Sequence, residues 1–265
     1  MIQEKIGLIG AGNMGGAILE GLFRQKKVMP AQVFIYDKLT EKAKEFSRKW
    51  GLNQAASNAE LVEKSQIIIL AIKPQDLAAT ISEFSRFLNE KHILISILAG
   101  TPLSKIKTLA GNKSKYVRTM PNLGAKVGQS MTAIASDDAQ AYTLADEIFS
   151  TCGKTIKIEE KDFDLITALS GSGPAYFFLL MELIAKEGEL NGLASKDARL
   201  LAIQTALGAA LLAGSAVESP EELRKMVTSK GGTTEAALKV LFEKNFPETF
   251  QQALLAARNR GRELS

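Results

Sequence analysis

Four short apolar runs, at 5–9, 33–37, 67–72 and 93–98, are rich in Ile, Leu and Val and are bounded by glycine, proline or charge. Unbroken apolarity over so few residues is the pattern of strands buried on both faces of a parallel sheet. Between them, 17–24 and 40–50 carry apolar residues at helical spacing, with Thr40 placed as an N-cap, and 75–88 follows Pro74 as a new helix does. Strand and helix alternate. The pattern therefore predicts an α/β fold with a Rossmann-like doubly wound sheet. Further strands are predicted at 115–119, 130–135 and 154–158, with a helix over 138–152.

From Asp162 onward the β-branched runs vanish. Ala-, Leu- and Glu-rich segments at 174–190, 195–216, 219–228, 234–244 and 247–262 all read as helix. The change predicts two domains, a sheet domain over 1–160 and an all-helical domain over 161–265. Residues 202–213 are almost wholly apolar, so this helix is expected to be buried, with a subunit interface as the natural place for it. Trp50 reads as a core anchor and His92 as the residue after a charged turn, and neither enters the candidate site.

Composition narrows the chemistry. With 265 residues, 46% of them hydrophobic, the chain has material for at least one full core. A single cysteine, Cys152, excludes an intramolecular disulfide. A single histidine, with no Cys or His companion, excludes the usual zinc ligand sets, so no metal is expected. The net charge of +4 arises from interspersed acids and bases, and the cluster Arg258, Arg260 and Arg262 reads as the solvated last turn of a helix. No nucleic-acid partner is expected. The chain enters an apolar run at once without a basic leader, and no uninterrupted apolar stretch is long enough for a bilayer. A cytoplasmic protein with no membrane partner is the resulting expectation.

The first predicted strand runs directly into Gly10-Ala11-Gly12-Asn13-Met14-Gly15, which opens the first predicted helix. In that position the glycine spacing has a mechanism: a tight turn, a close approach of backbone to a pyrophosphate, and close packing of helix on strand, with free N–H groups aimed at phosphate. Asp37 ends the second strand, where a carboxylate accepts hydrogen bonds from an adenosine ribose and repels a 2′-phosphate. Lys38 beside it has the opposite preference, so NADPH and NADH both stay open. Ala71-Ile72-Lys73-Pro74 sits at a strand's C-terminal end, the ligand-binding edge of open α/β sheets, where Lys73 is either a cofactor contact or simply solvated. Residues 229–232 break a helix and Thr233 or Thr234 starts the next, a geometry that aims free N–H groups into a concave, carboxylate-binding nest. An ordinary helix break with a threonine cap fits the same residues.

These motifs, together with Arg118-Thr119-Met120-Pro121-Asn122, Ser170-Gly171-Ser172-Gly173-Pro174-Ala175-Tyr176 and Ser229-Lys230-Gly231-Gly232-Thr233-Thr234, resemble those of the pyrroline-5-carboxylate reductases over nearly the whole chain. The glycine loop and Lys73-Pro74 are shared with related dehydrogenases, whereas the last two motifs together are specific. The resemblance implies NAD(P)H-dependent reduction of L-1-pyrroline-5-carboxylate to L-proline, the last step of proline biosynthesis. It implies a C-terminal dimerisation domain and a homodimer or larger homo-oligomer. It further implies that Ser229 and the N–H groups of Gly232 and Thr233 hold the substrate carboxylate, that Thr234 bonds the ring nitrogen as the catalytic residue, and that the 170–174 linker lies near the nicotinamide. Asn122 is the candidate polar contact to cofactor on the opposite wall. Phe242 departs from the family, whose signature usually ends there in a polar or acidic residue.

Two rivals are kept. A β-hydroxyacid dehydrogenase shares the N-terminal fingerprint but places a lysine after a Gly-x-Gly pair, where this chain has Phe177, so the alcohol proton has no acid/base. A dinucleotide sensor needs the phosphate loop but not a carboxylate nest.

Overall fold

The computed structural model describes residues 1–264. Its strands are β1 (Ile6–Ile9), β2 (Val33–Tyr36), β3 (Asn53–Gln54), β4 (Ile67–Leu70), β5 (Ile93–Ser96), β6 (Lys115–Met120), β7 (Ser130–Ala135) and β8 (Gly153–Lys157). They form one sheet in the order β3-β2-β1-β4-β5-β6-β7-β8. The first six run parallel, with Ile6 opposite both Val33 and Ile67. β7 turns antiparallel against β6, and β8 follows β7 in parallel. The sequence pattern had no means of showing this reversal, because direction is set by the connection and not by apolarity. The chain leaves β6 and returns through a single 3-10 turn, Leu123–Val127, too short for the crossover that a parallel neighbour needs.

Helices α1 (Asn13–Arg24), α2 (Thr40–Trp50), α3 (Asn58–Lys64), α4 (Leu77–Phe84), α5 (Leu103–Ala110) and α6 (Ala139–Phe149) cover the two faces. α1 and α6 pack one core through Ile18, Leu22, Ile148 and Phe149, and α3 to α5 pack the other through Leu61, Ile81, Phe84 and Ile106. The edge strand β3 and helices α3 and α5 were not foreseen: β3 pairs over only two residues, and the helices span seven and eight, too few for a clear period. α2 begins at Thr40 itself with Leu39 as its cap, one residue from the expected position. Trp50 stacks on Phe23 at 5.1 Å between ring centroids. His92 is buried, accepting from the Asn89 N–H at Nδ1 and donating from Nε2 to the Val62 carbonyl.

Packing divides the described residues into one unit of 1–172 with 257–264, and a second of Gly173–Ala256. The sheet unit thus extends past residue 160, for a physical reason. Phe163, in α7 (Phe163–Ile166), is fully buried against Ala133 and Ala135 of β7. The Arg118 guanidinium lies 4.6 Å from that ring and pairs with Glu160 at 3.3 Å. Burial pulls the Arg118 pKa below the usual arginine value, and Glu160 partly opposes this. The linker expected over 170–174 is instead helical: residues 167–171 form a π-helical turn that continues the helix, and Pro174 is the second residue of α8 (Gly173–Leu190), in its first turn as expected. α8, α9 (Ser195–Ser215), α10 (Pro220–Met226), α11 (Thr233–Glu243) and α12 (Phe246–Leu264) complete the chain.

Within the single chain the apolar helical region stays largely uncovered. α9 is not buried within the chain: only Ala198 and Ala202 are, while Leu207 and Leu211 are 47% and 64% exposed. In addition, the segments Glu160–Leu190 and Ser195–Ser215 are long and apolar enough to cross a membrane, with a mean hydropathy of 1.3. Single charges such as Glu182 interrupt the apolar run while its average stays high, which hid these helices from a search for unbroken stretches. Their apolar side chains are those of a helical surface awaiting a protein partner as much as those of a membrane span.

Removing the Phe163 ring leaves a cavity beneath α7. Phe163→Ala is expected to lower the unfolding free energy by about 3–5 kcal/mol, read from the midpoint of a denaturant titration.

Candidate functional site

The C-terminal ends of β1, β2, β4, β5 and β6 open onto one cleft of about 730 Å³. β1 lies between β2 and β4, so the chain crosses in opposite directions from it and leaves a crevice, as ligand sites in such sheets require. Of the eleven residues predicted for cofactor, Gly10, Gly12, Asn13, Met14, Asp37, Lys38, Ala71, Lys73, Pro74 and Asn122 line this cleft. Gly15 alone does not.

The glycines have different reasons for being glycine. Gly10 has φ +103°, and a Cβ there would stand 2.4 Å from the Ala71 carbonyl oxygen. A Cβ on Gly15 would stand 2.6 Å from the Gly10 carbonyl oxygen, which is why Gly15 is buried under the turn and not on the cleft. Gly12 has an ordinary φ of −83°, and a Cβ there would meet nothing within 4 Å. Nothing in the protein requires glycine at Gly12, and the missing side chain leaves the space above the turn open. Gly12 caps α1 with no side-chain bond, so the first N–H groups of that helix face the same space. This cradle fits a pyrophosphate.

Asp37 stands at the end of β2 on the cleft, as the sequence reading has it, but its carboxylate is already engaged. Its Oδ2 accepts the Ala11 N–H at 2.7 Å and its Oδ1 accepts the Leu39 N–H at 2.7 Å. The carboxylate therefore ties the glycine loop to the β2–α2 turn, and each oxygen keeps a second lone pair for a ribose hydroxyl. Lys38 is paired with both oxygens of Asp76 at 3.0 Å. Lys73 is exposed where the chain leaves β4. Asn122 lines the far wall, but its amide is engaged: Oδ1 accepts the Gly124 N–H at 3.0 Å and Nδ2 donates to Ser170 Oγ at 3.2 Å. It shapes the wall, with Met120, Pro121 and Gly171 beside it.

Several polar cleft residues escaped the sequence reading, among them Lys42, Asp76 and Asn58. Lys42, in the first turn of α2, and Asp76 belong to no motif. Asn58 is 4% exposed, donates to Glu83 at 2.8 Å and keeps a buried Oδ1 with no partner among the described residues. Its only signal was an asparagine at a helix start after the Ser57 cap.

The predicted substrate residues lie in the second unit, on the loop from α10 to α11. Ser229 and Gly232 are brought together: the Gly232 N–H donates to the Ser229 carbonyl at 3.0 Å, and a Cβ on Gly232 would stand 2.5 Å from Ser229 Oγ. The Gly232 N–H is therefore not free for a carboxylate, and that of Gly231 is taken by Glu235 at 2.7 Å. Thr233 and Thr234 open α11, so their N–H groups have no partner within the helix, and Thr234 is partly shielded.

Residues 160–264 match the family described as pyrroline-5-carboxylate reductase dimerisation, and residues 5–100 match that described as NADP oxidoreductase, coenzyme F420-dependent. The pyrroline-5-carboxylate reductase of Methanosarcina acetivorans is 37% identical over 100% of this chain and 99% of its own length. The chain belongs to the pyrroline-5-carboxylate reductase family. The structure of a pyrroline-5-carboxylate reductase from Coxiella burnetii has a TM-score of 0.92 at 36% identity, covering 100% of this chain and 99% of that one. A pyrroline carboxylate reductase from Plasmodium falciparum, solved with NADP bound, has a TM-score of 0.90 at 29% identity over 100% and 99% of the two chains. The sheet-then-helix architecture of this reductase family member is thus shared along its full length.

The two glycines separate fold from ligand. Gly10→Ala is expected to lower thermal stability, since the added carbon collides with backbone at a positive φ. Gly12→Ala is expected to leave the melting temperature within about 2 °C while weakening dinucleotide binding about tenfold or more. Differential scanning fluorimetry and nucleotide titration on both variants check the pair.

Proposed function

We propose that this chain reduces L-1-pyrroline-5-carboxylate to L-proline with NADPH or NADH, as the last step of proline biosynthesis. The observation that carries this is identity of 34–37% over 98–100% of the chain with reductases of that name. The cleft supports it independently: the Gly12 cradle and the α1 N-terminus suit a pyrophosphate, and Asp37 and Lys38 flank the ribose end. Gly10, Gly12, Asn13, Met14, Asp37, Lys38, Ala71, Lys73 and Pro74 are the proposed cofactor residues, with Asn122 shaping a wall and Gly15 packing α1 beneath the turn. The dinucleotide, when bound, supplies a hydride.

The substrate is an anionic cyclic imine, and its reduction needs the carboxylate held and the ring nitrogen polarised. The first N–H groups of α11 and the Ser229 hydroxyl suit the carboxylate, with Gly232 keeping the loop close-packed. The Thr234 hydroxyl is assigned to the ring nitrogen. A threonine hydroxyl is too weak an acid to be a strong general acid, so Thr234 acts by orienting and polarising, and rate arises mainly from alignment. Phe177, on α8, offers no proton where a hydroxyacid dehydrogenase carries lysine, which favours imine over alcohol chemistry. The exposed apolar side chains of α8 and α9, including Phe177, Leu200 and Leu211, suit a homodimer or larger homo-oligomer through the C-terminal helices of a cytoplasmic enzyme.

Purified protein is expected to oxidise NADPH or NADH only when pyrroline-5-carboxylate is present, followed by absorbance at the nicotinamide band. Tight dinucleotide binding with no turnover would replace this reading with the sensor. Thr234→Ala should reduce kcat by about tenfold or more, the worth of one aligned hydrogen bond, with the dinucleotide Kd unchanged. Wild-type kinetics in that variant would remove Thr234 from the mechanism. Light scattering is expected to give a mass at least twice that of the chain.

A further inference from the structure

The adenosine end of the cleft holds an ion pair that spans it. Lys38 stands on the β2–α2 loop and Asp76 ends the 3-10 turn Pro74–Asp76 after β4, so the pair joins the two loops that flank this end of the cleft. The Lys38 Nζ lies 3.0 Å from each Asp76 carboxylate oxygen. The origin of Lys38 is fixed, because its neighbour Asp37 is bonded on both oxygens, one of them to the Leu39 N–H on the other side of Lys38. Three cations line the cleft, Lys38, Lys42 and Lys73, and so do three acids, Asp37, Asp76 and Glu83. A 2′-phosphate is a dianion and needs an excess of cation at this place, whereas a 2′-hydroxyl does not.

We propose that Asp76 is a specificity-determining residue for the cofactor: it competes with the 2′-phosphate of NADPH for Lys38 and so weakens NADPH relative to NADH. The inference rests on the dinucleotide-dependent reading above. With NADH bound, Lys38 stays on Asp76, and Asp37 keeps a lone pair on each oxygen for the ribose hydroxyls. With NADPH bound, Lys38 must leave Asp76, which then faces the added phosphate as an unpaired like charge. Lys38 is 70% exposed on its side chain and Asp76 30%, so the pair is weak enough to be broken, and its cost appears as a modest bias, not as exclusion. Lys42 lines the same cleft and has no ion pair among the described residues, so NADPH binding survives the loss of Lys38. Asp76 lies outside the glycine fingerprint and the strand-end acid, which is why no motif marks it.

The test is a double-mutant cycle read in binding, independent of turnover. Kd values for NADPH and NADH are measured by nicotinamide fluorescence for the full chain, Asp76→Asn, Lys38→Met and the double variant. Asp76→Asn should raise the preference for NADPH over NADH by about two- to fivefold. In the Lys38→Met background the same substitution should change the preference by less than half as much, because the competition acts through Lys38. An unchanged preference in Asp76→Asn would overturn the proposal. So would an equal shift with and without Lys38, which would mean direct repulsion alone. If the chain bound both dinucleotides yet turned over no cyclic imine, the reductase reading would fail while this one stood. If it bound neither, both would fail.

Discussion

The meeting of Gly10 with the Ala71 carbonyl is the constraint on which the cleft depends. β1 and β4 are neighbours in register, and the turn leaving β1 passes so close over the end of β4 that no side chain fits between them. Gly15 then lets α1 settle onto the Gly10 carbonyl. The result is a helix N-terminus held at the centre of the sheet's C-terminal edge, with its N–H groups open to an anion. Asp37 reinforces the arrangement from β2, since its two backbone bonds fix both the glycine loop and the turn that carries Lys38. Displacing any of these would move the Gly12 turn and the Lys38 loop together.

The same economy governs the far wall. Met120, Pro121 and Asn122 leave β6 at the point where the sheet reverses direction, and the Asn122 amide bonds both the following turn and Ser170. Buried Arg118, on β6 two residues before Met120, stacks on Phe163 and pairs with Glu160. Sheet, wall and the first helical turns beyond residue 160 are thereby one packed body. The helical unit has the opposite character, with long helices whose leucines and phenylalanines stay largely uncovered within the chain. That surface is far larger than a soluble monomer carries, and the dimerisation family matched over 160–264 gives it a use.

Much of this was legible in sequence. Ile67 to Leu70 and Ile93 to Ser96 announce buried parallel strands, because only strands covered on both faces tolerate unbroken Ile and Leu. The glycine loop, Asp37, Lys73 and the Ser229–Thr234 segment were found because their chemistry depends on local spacing, and the family follows from the same segments. The sequence also determined that no disulfide forms within the chain, with its single cysteine, and that the helical region begins near residue 160.

What only the tertiary structure decided are relations between residues far apart in the chain. Periodicity carries no strand direction, so the antiparallel turn at β7 was invisible. The role of Asp37 as a brace required Ala11 to lie beside it, 26 positions away. The engagement of Lys38 required Asp76, 38 positions away, and that of Asn122 required Ser170. Even the free N–H groups of the Ser229–Thr234 loop could not be counted from spacing, because Glu235 and the Ser229 carbonyl each consume one. Local sequence fixes which groups are available to react; the fold fixes which of them are already occupied, because a hydrogen bond depends on distance in space and not along the chain.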